Sequence, residues 1–217
     1  DSAVKVFCDK NYFVVKGLVG IYVFRRDVGT MYKTIAIEGL EFIGAKKESI
    51  AVYDSVNNVV YVKSISDSSD VAIPLSNQPS VIDYDIYQGI PIVAYSVIAN
   101  GTARYFIASP GKEIALQYTG SGAILLNSDT LFIEADGLKI LRILDIKLNV
   151  NEADYIPFPF RITDLYEYIE PYLIASSHGI IISINIQKRT FEMIGKAVPT
   201  PVGYLSLIHI SEPTRPY

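Results

Sequence analysis

Residues 172–194, YLIASSHGIIISINIQKRTFEMI, decide how the whole chain is interpreted. Over residues 182–187 isoleucines alternate with polar residues, so the apolar and polar sets lie on opposite faces of an extended strand. Turn-forming pairs stand on either side, His178-Gly179 before this strand and Lys188-Arg189 after it. The stretch therefore predicts three short antiparallel strands joined by two tight turns.

Similar units recur along the chain at a nearly constant interval. In each unit, runs rich in β-branched and aromatic residues are separated by turn residues, with no recurrent helical pattern between them. The turns between the second and third strands fall near Gly17, Asn58, Gly101, Gly137 and Gly179. Successive turns are thus 36 to 43 residues apart, an interval typical of repeats that each form one supersecondary unit.

A repeat of four antiparallel strands in about forty residues resembles the blade of a β-propeller. The resemblance is to propeller repeat proteins in general, and it covers nearly all of residues 10–200. No family signature accompanies it, because the chain has no tryptophan for a Trp-Asp blade ending and no Gly-Gly pair of the kelch kind. The resemblance implies an all-β fold, a partial β-propeller of about four to five four-stranded antiparallel blades.

We expect one propeller-like domain in residues 1–205, and we expect it to be incomplete because a ring of blades buries each blade against its neighbours. The repeats fall at about 1–39, 40–77, 78–119, 120–159 and 160–197. From residue 206 to 217 the strand pattern stops, and this segment resembles a translated sequencing-adapter remnant. We expect it to be a non-native or disordered tail.

Residues 138–148 fit two interpretations. Polar residues recur at every third position in LKILRILDI, which is also compatible with a short amphipathic helix. The Asp136-Gly137 turn before the segment and its place in the repeat favour a strand.

Composition argues against several classes of function. Charged residues make up 19% of the chain and the formal net charge is −4, so a basic surface for nucleic acid is not expected. The single cysteine, Cys8, allows neither an internal disulfide nor a thiolate metal cluster. No apolar run approaches the roughly 18 residues that span a bilayer. We predict no cofactor, no metal site, no nucleic-acid partner and no membrane span, while the compartment and the oligomeric state stay open.

His178 is the only histidine before the terminal segment, and it raises the question of a Ser-His-Asp triad. Ser176 and Ser177 lack the context of a nucleophile elbow and are its immediate chain neighbours at a hairpin tip. We interpret His178 as a turn residue and assign no catalytic residue.

The candidate binding residues lie on the first predicted strands of the third and fifth repeats. They are Asp83, Asp85, Asp164, Glu167, Tyr84 and Tyr166. First strands line the channel of a propeller, so the four carboxylates could form an acidic funnel for a cation or a polar substrate. The tyrosines would add aromatic contact area at the channel or rim. Solvated surface charges and tyrosines packed between sheets are the alternative explanation.

The function that we predict is a non-catalytic interaction or scaffold propeller, which binds a protein partner on a rim or at the channel mouth. One alternative is the propeller domain of a hydrolase, either as its gating domain or with a carboxylate-based, glycosidase-like site. A second alternative is a secreted or cell-surface binding domain, which the low charge content favours. All three rest on the fold resemblance.

Overall fold

The computed structural model describes residues 5–8, 11–17, 20–67 and 69–196. The predicted tail, residues 206–217, lies outside the described residues. Within the described ranges twenty β-strands form five four-stranded sheets. These ranges contain no helix that is long and apolar enough to cross a bilayer. The predicted all-β propeller of four-stranded antiparallel blades is confirmed, and five blades are present.

Each blade is built from four consecutive strands. The first contains β1 (Lys5–Cys8), β2 (Tyr12–Lys16), β3 (Gly20–Arg25) and β4 (Met31–Ala36). The second contains β5 (Glu41–Lys46), β6 (Ser49–Asp54), β7 (Val59–Ser64) and β8 (Asp70–Pro74). The third contains β9 (Val81–Tyr87), β10 (Ile90–Ala99), β11 (Thr102–Ser109) and β12 (Lys112–Gly120). The fourth contains β13 (Ile124–Asn127), β14 (Thr130–Glu134), β15 (Leu138–Ile143) and β16 (Val150–Ile156). The fifth contains β17 (Asp164–Ile169), β18 (Tyr172–Ser177), β19 (Ile180–Asn185) and β20 (Thr190–Lys196).

All five predicted turns join the second strand of a blade to the third. At four of them the backbone enters the left-handed region, with φ of 52° and 76° at Asn100-Gly101, of 48° and 79° at His178-Gly179, and of 55° at both Asn58 and Asp136. Asparagine and glycine tolerate this region better than other residues, and glycine carries no Cβ to clash there. His178 is therefore a turn residue, as the sequence predicted.

The stretch at 172–194 forms β18, β19 and most of β20, so the three predicted strands are confirmed. Ile182 and Ile184 pack in a cluster shared with the fourth blade, while Ser183 and Asn185 occupy the alternate positions. Those two polar side chains are also buried. The Oδ1 of Asn185 accepts a hydrogen bond from the backbone N–H of Lys188 at 2.9 Å, which holds the following turn.

Residues 138–143 form strand β15, which settles the choice between strand and helix. The strand is shorter than predicted because Asp145 organises a turn immediately after it. The Oδ1 of Asp145 accepts the backbone N–H of Lys147 at 2.9 Å, and its Oδ2 accepts the side-chain amide of Asn149 at 2.7 Å. Such local side-chain acceptors favour turns over extended backbone.

The core consists of four apolar clusters, each between two successive blades. Because the middle blades bury both faces, their central strands are largely apolar, and all five residues of β14 are buried. In the part of the chain that the structure describes, none of these clusters joins the fifth blade to the first. Packing therefore runs from blade to blade along the chain, as in other repeat proteins.

The alternating strand directions give the propeller two different faces. Turns between second and third strands lie at the same end as the connections between blades, and we call this end the upper face. Turns between first and second strands lie at the opposite end, the lower face. The first strands β5, β9, β13 and β17 lie next to one another, which places them at the inner edges of the blades.

Candidate functional site

Asp83 lies on β9 and links three blades. Its carboxylate accepts hydrogen bonds from Lys46 Nζ at 2.8 and 2.9 Å. Its Oδ2 also accepts the backbone N–H of Leu126 on β13 at 2.8 Å, and Lys46 Nζ donates to the Leu126 carbonyl at 2.9 Å. Since Lys46 belongs to the second blade and Leu126 to the fourth, this arrangement holds three inner strands together.

Asp85 lies two residues further along β9 and makes a similar set of contacts. Its side chain is only 6% exposed and pairs with Lys47 Nζ at 2.9 Å. The Oδ2 of Asp85 accepts the backbone N–H of Ser128 in the fourth blade at 2.8 Å. Two lysines thus compensate the charges of Asp83 and Asp85, as partly and fully buried carboxylates require.

Tyr84 is completely buried in the cluster between the second and third blades. Its hydroxyl donates to the carbonyl of Ser49 at 2.9 Å and accepts the backbone N–H of Lys46 at 2.7 Å. Burial raises the pKa of this phenol well above its ordinary value, so it stays neutral. The structure therefore places Tyr84 among the packing residues rather than on a surface.

The other three candidates lie together on β17 in the fifth blade. The Oδ2 of Asp164 accepts a hydrogen bond from Ser176 Oγ at 2.7 Å. The pairing of β17 with β18 slips between Leu165 and Glu167, so Tyr166 is the extra residue of a bulge and is 46% exposed. Because the fourth blade separates β9 from β17, the candidates form two groups, and the acidic funnel stays a prediction.

The serines beside His178 have separate partners. Ser177 Oγ lies 3.2 Å from His178 Nδ1 but donates to the carbonyl of Arg161 at 2.7 Å. The serine that contacts Asp164 is Ser176. Histidine and aspartate therefore touch different serines, which is not the arrangement of a Ser-His-Asp triad.

The sequence analysis did not identify a recess on the upper face, which lies between the third and fourth blades and the connection to the fifth. This upper cleft has a volume of about 600 Å³. Its polar lining includes Glu134, Asp136, Arg161 and the hydroxyl-bearing residue Thr102, and its apolar lining includes Phe158 and Phe160. The lining comes from segments far apart in the sequence, at 101–102, 119–120, 134–137 and 158–161, so folding is needed to bring them together.

Glu134 ends β14 and is only 5% exposed. Its Oε2 accepts the backbone N–H of Ser121 at 2.6 Å. Beneath it, the hydroxyl of the buried Tyr105 donates to the Glu134 carbonyl and accepts the N–H of Gly122 at 3.0 Å. Burial is the main cause that raises the pKa of Tyr105 to about 12. These contacts fix the floor of the cleft.

Arg161 lies in the connection between β16 and β17. Its Nη2 donates to the carbonyls of Gly101 at 3.4 Å and of Gly120 at 3.3 Å, both near the long limit for such bonds. No carboxylate among the described residues lies within ion-pair distance of this guanidinium. Most of its five donors therefore remain available at the cleft.

Three phenylalanines pack together beside the upper cleft. The rings of Phe158 and Phe160 stack with centroids 5.5 Å apart. Phe191 on β20 meets both edge-on, at 5.7 and 4.9 Å, and is 46% exposed. We call Phe158, Phe160 and Phe191 the phenylalanine cluster. The sequence feature that could have identified this cluster is the segment Pro-Phe-Pro-Phe-Arg at 157–161, which has two aromatic residues in a connection between blades.

A second recess of about 330 Å³ opens on the lower face between the fourth and fifth blades. Three of its four charged lining residues, Asp129, Arg142 and Asp154, are paired within the protein. Arg142 Nη1 binds both oxygens of Asp129 at 2.9 and 2.8 Å, and Arg189 Nη2 binds Asp154 at 2.8 Å. Across the described ranges, no three His, Cys, Asp or Glu side chains are grouped as a metal site would require.

No family model and no curated protein matches the sequence. Among solved structures, the fold is similar to that of apo AztD from Citrobacter koseri, with a TM-score of 0.61, 10% identity, and coverage of 89% of this chain and 62% of that one. It is also similar to Hsv2 from Kluyveromyces lactis, with a TM-score of 0.54, 7% identity, and coverage of 86% and 61%. The RRP9 WD40 repeats give a TM-score of 0.51 at 12% identity, with coverage of 79% and 58%. This chain therefore spans less than two thirds of the length of each. The resemblance to propeller proteins without a specific family is confirmed, and at these identities it shows the fold alone.

Proposed function

We propose that this chain is a non-catalytic interaction scaffold, which binds a protein partner through the upper cleft and the phenylalanine cluster beside it. The observation that carries the proposal is this cluster beside the cleft. Phe191 is 46% exposed, and the partly buried Phe158 and Phe160 that it contacts line an open recess. Grouped aromatic side chains are common at the centres of protein interfaces and are uncommon on surfaces without a partner.

The position of the cluster supports the same proposal. Phe158 and Phe160 lie on a connection that is held between two packed blades, and Arg161 in that connection binds carbonyls of the third blade. A loop that is anchored on a rigid scaffold presents its side chains in a fixed arrangement, which lowers the ordering cost of binding.

The arrangement of the polar groups also favours binding over chemistry. The carboxylates of Asp83 and Asp85 are engaged by lysines and backbone N–H groups. Ser176 and Ser177 make separate hydrogen bonds. Among the residues that the structure describes, we find no nucleophile, base and orienting acid in mutual contact.

Affinity capture followed by a binding measurement tests the proposal. The immobilised chain is used to recover proteins from a lysate of its source organism, and the dissociation constant of the purified partner is then measured by calorimetry. Replacing Phe160 and Phe191 together by serine should raise Kd at least about tenfold, since aromatic anchors commonly dominate binding energy. The matched control replaces Leu144 and Ile146, which are 55% and 46% exposed in a lower-face turn, by serine. An unchanged Kd for the first variant, or an equal loss in both, would refute the proposal.

A second candidate function is a carboxylate-based, glycosidase-like site, because Glu134 and Asp136 both line the upper cleft. Glycoside hydrolysis uses two carboxylates that flank the scissile bond. Hydrolysis of a panel of nitrophenyl glycosides, lost in Glu134→Gln, would support this candidate. Absence of hydrolysis by the unmodified chain across the panel would remove it.

A further inference from the structure

The geometry points to a specific chemistry for the upper cleft: it binds an extended peptide segment of the partner through one basic side chain, lysine or arginine. The inference rests on the proposed function, because it names the chemical class of partner that the same surface recognises. In this arrangement the basic group pairs with Glu134, a peptide carbonyl accepts hydrogen bonds from Arg161, and the aliphatic stem lies against Phe158 and Phe160.

Glu134 supplies the anionic end of the site. Of its two oxygens, Oε2 accepts the N–H of Ser121 at 2.6 Å. Within the described part of the chain, Oε1 makes no hydrogen bond, yet it is not among the atoms sealed from solvent. No lysine or arginine of those residues lies within ion-pair distance of it. A side chain that is 95% buried and carries a carboxylate oxygen open to a cleft is a favourable partner for an incoming cation.

Arg161 supplies the cationic group of the site. Arg161 and Glu134 contact opposite sides of the peptide group that joins Gly120 to Ser121. The carbonyl of Gly120 accepts from Arg161 Nη2 at 3.3 Å, and the N–H of the next residue, Ser121, donates to Glu134 Oε2 at 2.6 Å. With standard peptide dimensions, the two charged groups are no more than roughly 8 Å apart. In lysine and arginine the charged group lies at a comparable distance from the backbone. One such residue can therefore place its charged group at Glu134 and its backbone carbonyl at Arg161.

The apolar part of the cleft lining is aromatic. Phe158 and Phe160 line the cleft with stacked rings, and Pro159 lies between them in the chain. Aromatic faces attract ammonium and guanidinium groups, and the methylene stems of lysine and arginine pack well on them. The charged lining consists of Glu134, Asp136 and Arg161. Two anions and one cation leave a net negative charge, which favours a basic rather than an acidic side chain.

Peptides that differ in one residue test the inference. Acetyl-Gly-Gly-X-Gly-Gly-amide, with X as arginine, lysine, glutamine or glutamate, is titrated into the ¹⁵N-labelled chain. Shifts of the backbone amides of Gly101, Gly120 and Ser121 are followed. The arginine and lysine peptides should bind with a Kd of a few millimolar or tighter, and the glutamine peptide at least about fivefold more weakly. Absence of shifts at these amides up to about 20 mM arginine peptide, or tighter binding of the glutamate peptide, would overturn the inference.

Glu134→Gln tests the role of the carboxylate without removing its structural bond, because the amide oxygen of glutamine can still accept the N–H of Ser121. The variant should bind the arginine and glutamine peptides equally. Asp129→Asn is the matched control, since it makes the same carboxylate-to-amide change in the lower-face recess. It should leave the preference for arginine unchanged. Retention of that preference in Glu134→Gln would contradict the assignment.

Failure of this inference and failure of the proposed function have different signatures. If none of the peptides binds but the Phe160→Ser, Phe191→Ser variant still loses the captured partner, the scaffold proposal stands and the basic-peptide chemistry is wrong. If the arginine peptide binds as expected while that variant keeps the captured partner, the cleft chemistry stands and the phenylalanine-dependent interface is wrong.

Discussion

Lys46 Nζ in the second blade lies 2.8 Å from Asp83 Oδ1 in the third and 2.9 Å from the Leu126 carbonyl in the fourth. A single lysine thus connects three blades at the inner edge of the propeller. The side chains of this pair are 30% and 18% exposed, so solvent screens it only partly. Asp83 therefore has a structural role, because it helps to hold three blades together.

Removing Asp83 should therefore destabilise the protein. Asp83→Ala deletes the ion pair and leaves the backbone N–H of Leu126 without its acceptor, so we expect a loss of about 2 kcal/mol in the free energy of unfolding. Urea denaturation measures this loss. A cycle with Lys46→Met and the double variant should give a coupling energy of at least about 0.5 kcal/mol, which neighbouring residues in one network show.

The pair of Lys63 and Asp70 serves as the control for Asp83. The side chain of Asp70 is 49% exposed, and both residues belong to the second blade. Asp70→Ala should change the free energy of unfolding by no more than about 0.5 kcal/mol, as for most exposed ion pairs. Equal losses in the two aspartate variants would show that Asp83 does not link the blades energetically.

Gly120 should accept no side chain, because it closes the floor of the upper cleft. A Cβ at this position would lie 1.8 Å from the Glu134 carbonyl oxygen and 2.7 Å from the Tyr105 hydroxyl. Gly120→Ala should therefore lower the free energy of unfolding by at least about 3 kcal/mol or prevent folding, since the clash is with the backbone of a buried strand.

Gly195 on β20 provides the comparison for Gly120. A Cβ built there meets no atom within 4 Å. Gly195→Ala should stay within about 0.5 kcal/mol of the unmodified chain, as is usual for surface substitutions. Thermal melts of the two alanine variants make the comparison directly. Similar melting temperatures for both would mean that Gly120 is not packed as described.

Tyr105 should make stability depend on alkaline pH. Its pKa is raised to about 12 from the ordinary phenol value of 10.0, mainly by burial. The unfolded chain therefore releases this proton more readily than the folded chain does. Its contribution is fully present below pH 10 and is lost as the pH rises through about 12.

Tyr105→Phe tests this contribution. The variant should lower stability by about 1–2 kcal/mol at neutral pH, because the Glu134 carbonyl and the Gly122 N–H lose their partner. It should also reduce the decline between pH 10 and 12, although the buried Tyr84 and Tyr95 leave part of that decline in place. A slope identical to that of the unmodified chain would contradict the burial of this phenol.

The strands and their turns could be predicted because their signals are local. The alternation over 182–187 and the Asn100-Gly101 and His178-Gly179 pairs lie within a few residues of the structure that they specify. The end of β15 was missed by several residues, because it depends on the hydrogen bonds of one side chain, Asp145, in the following turn.

The site was less predictable because its contacts are distant in the sequence. The placement of Asp83 and Asp85 on an inner strand follows from the repeat, but their lysine partners lie on another blade, and nothing in the local pattern identifies them. The same holds for the upper cleft, where Glu134 and Arg161 approach the two sides of the Gly120–Ser121 peptide. The run of phenylalanines at 158–160 was the one local signal available for it.

The most direct test of the account is hydrogen–deuterium exchange of the chain with and without its captured partner at saturation. We predict added protection on the upper face, in residues 100–102, 119–122, 134–137 and 157–161. Exchange at the lower-face turns 47–48, 88–89 and 128–129 should not change. Protection confined to the lower-face turns would contradict the claim that this propeller binds through its upper cleft.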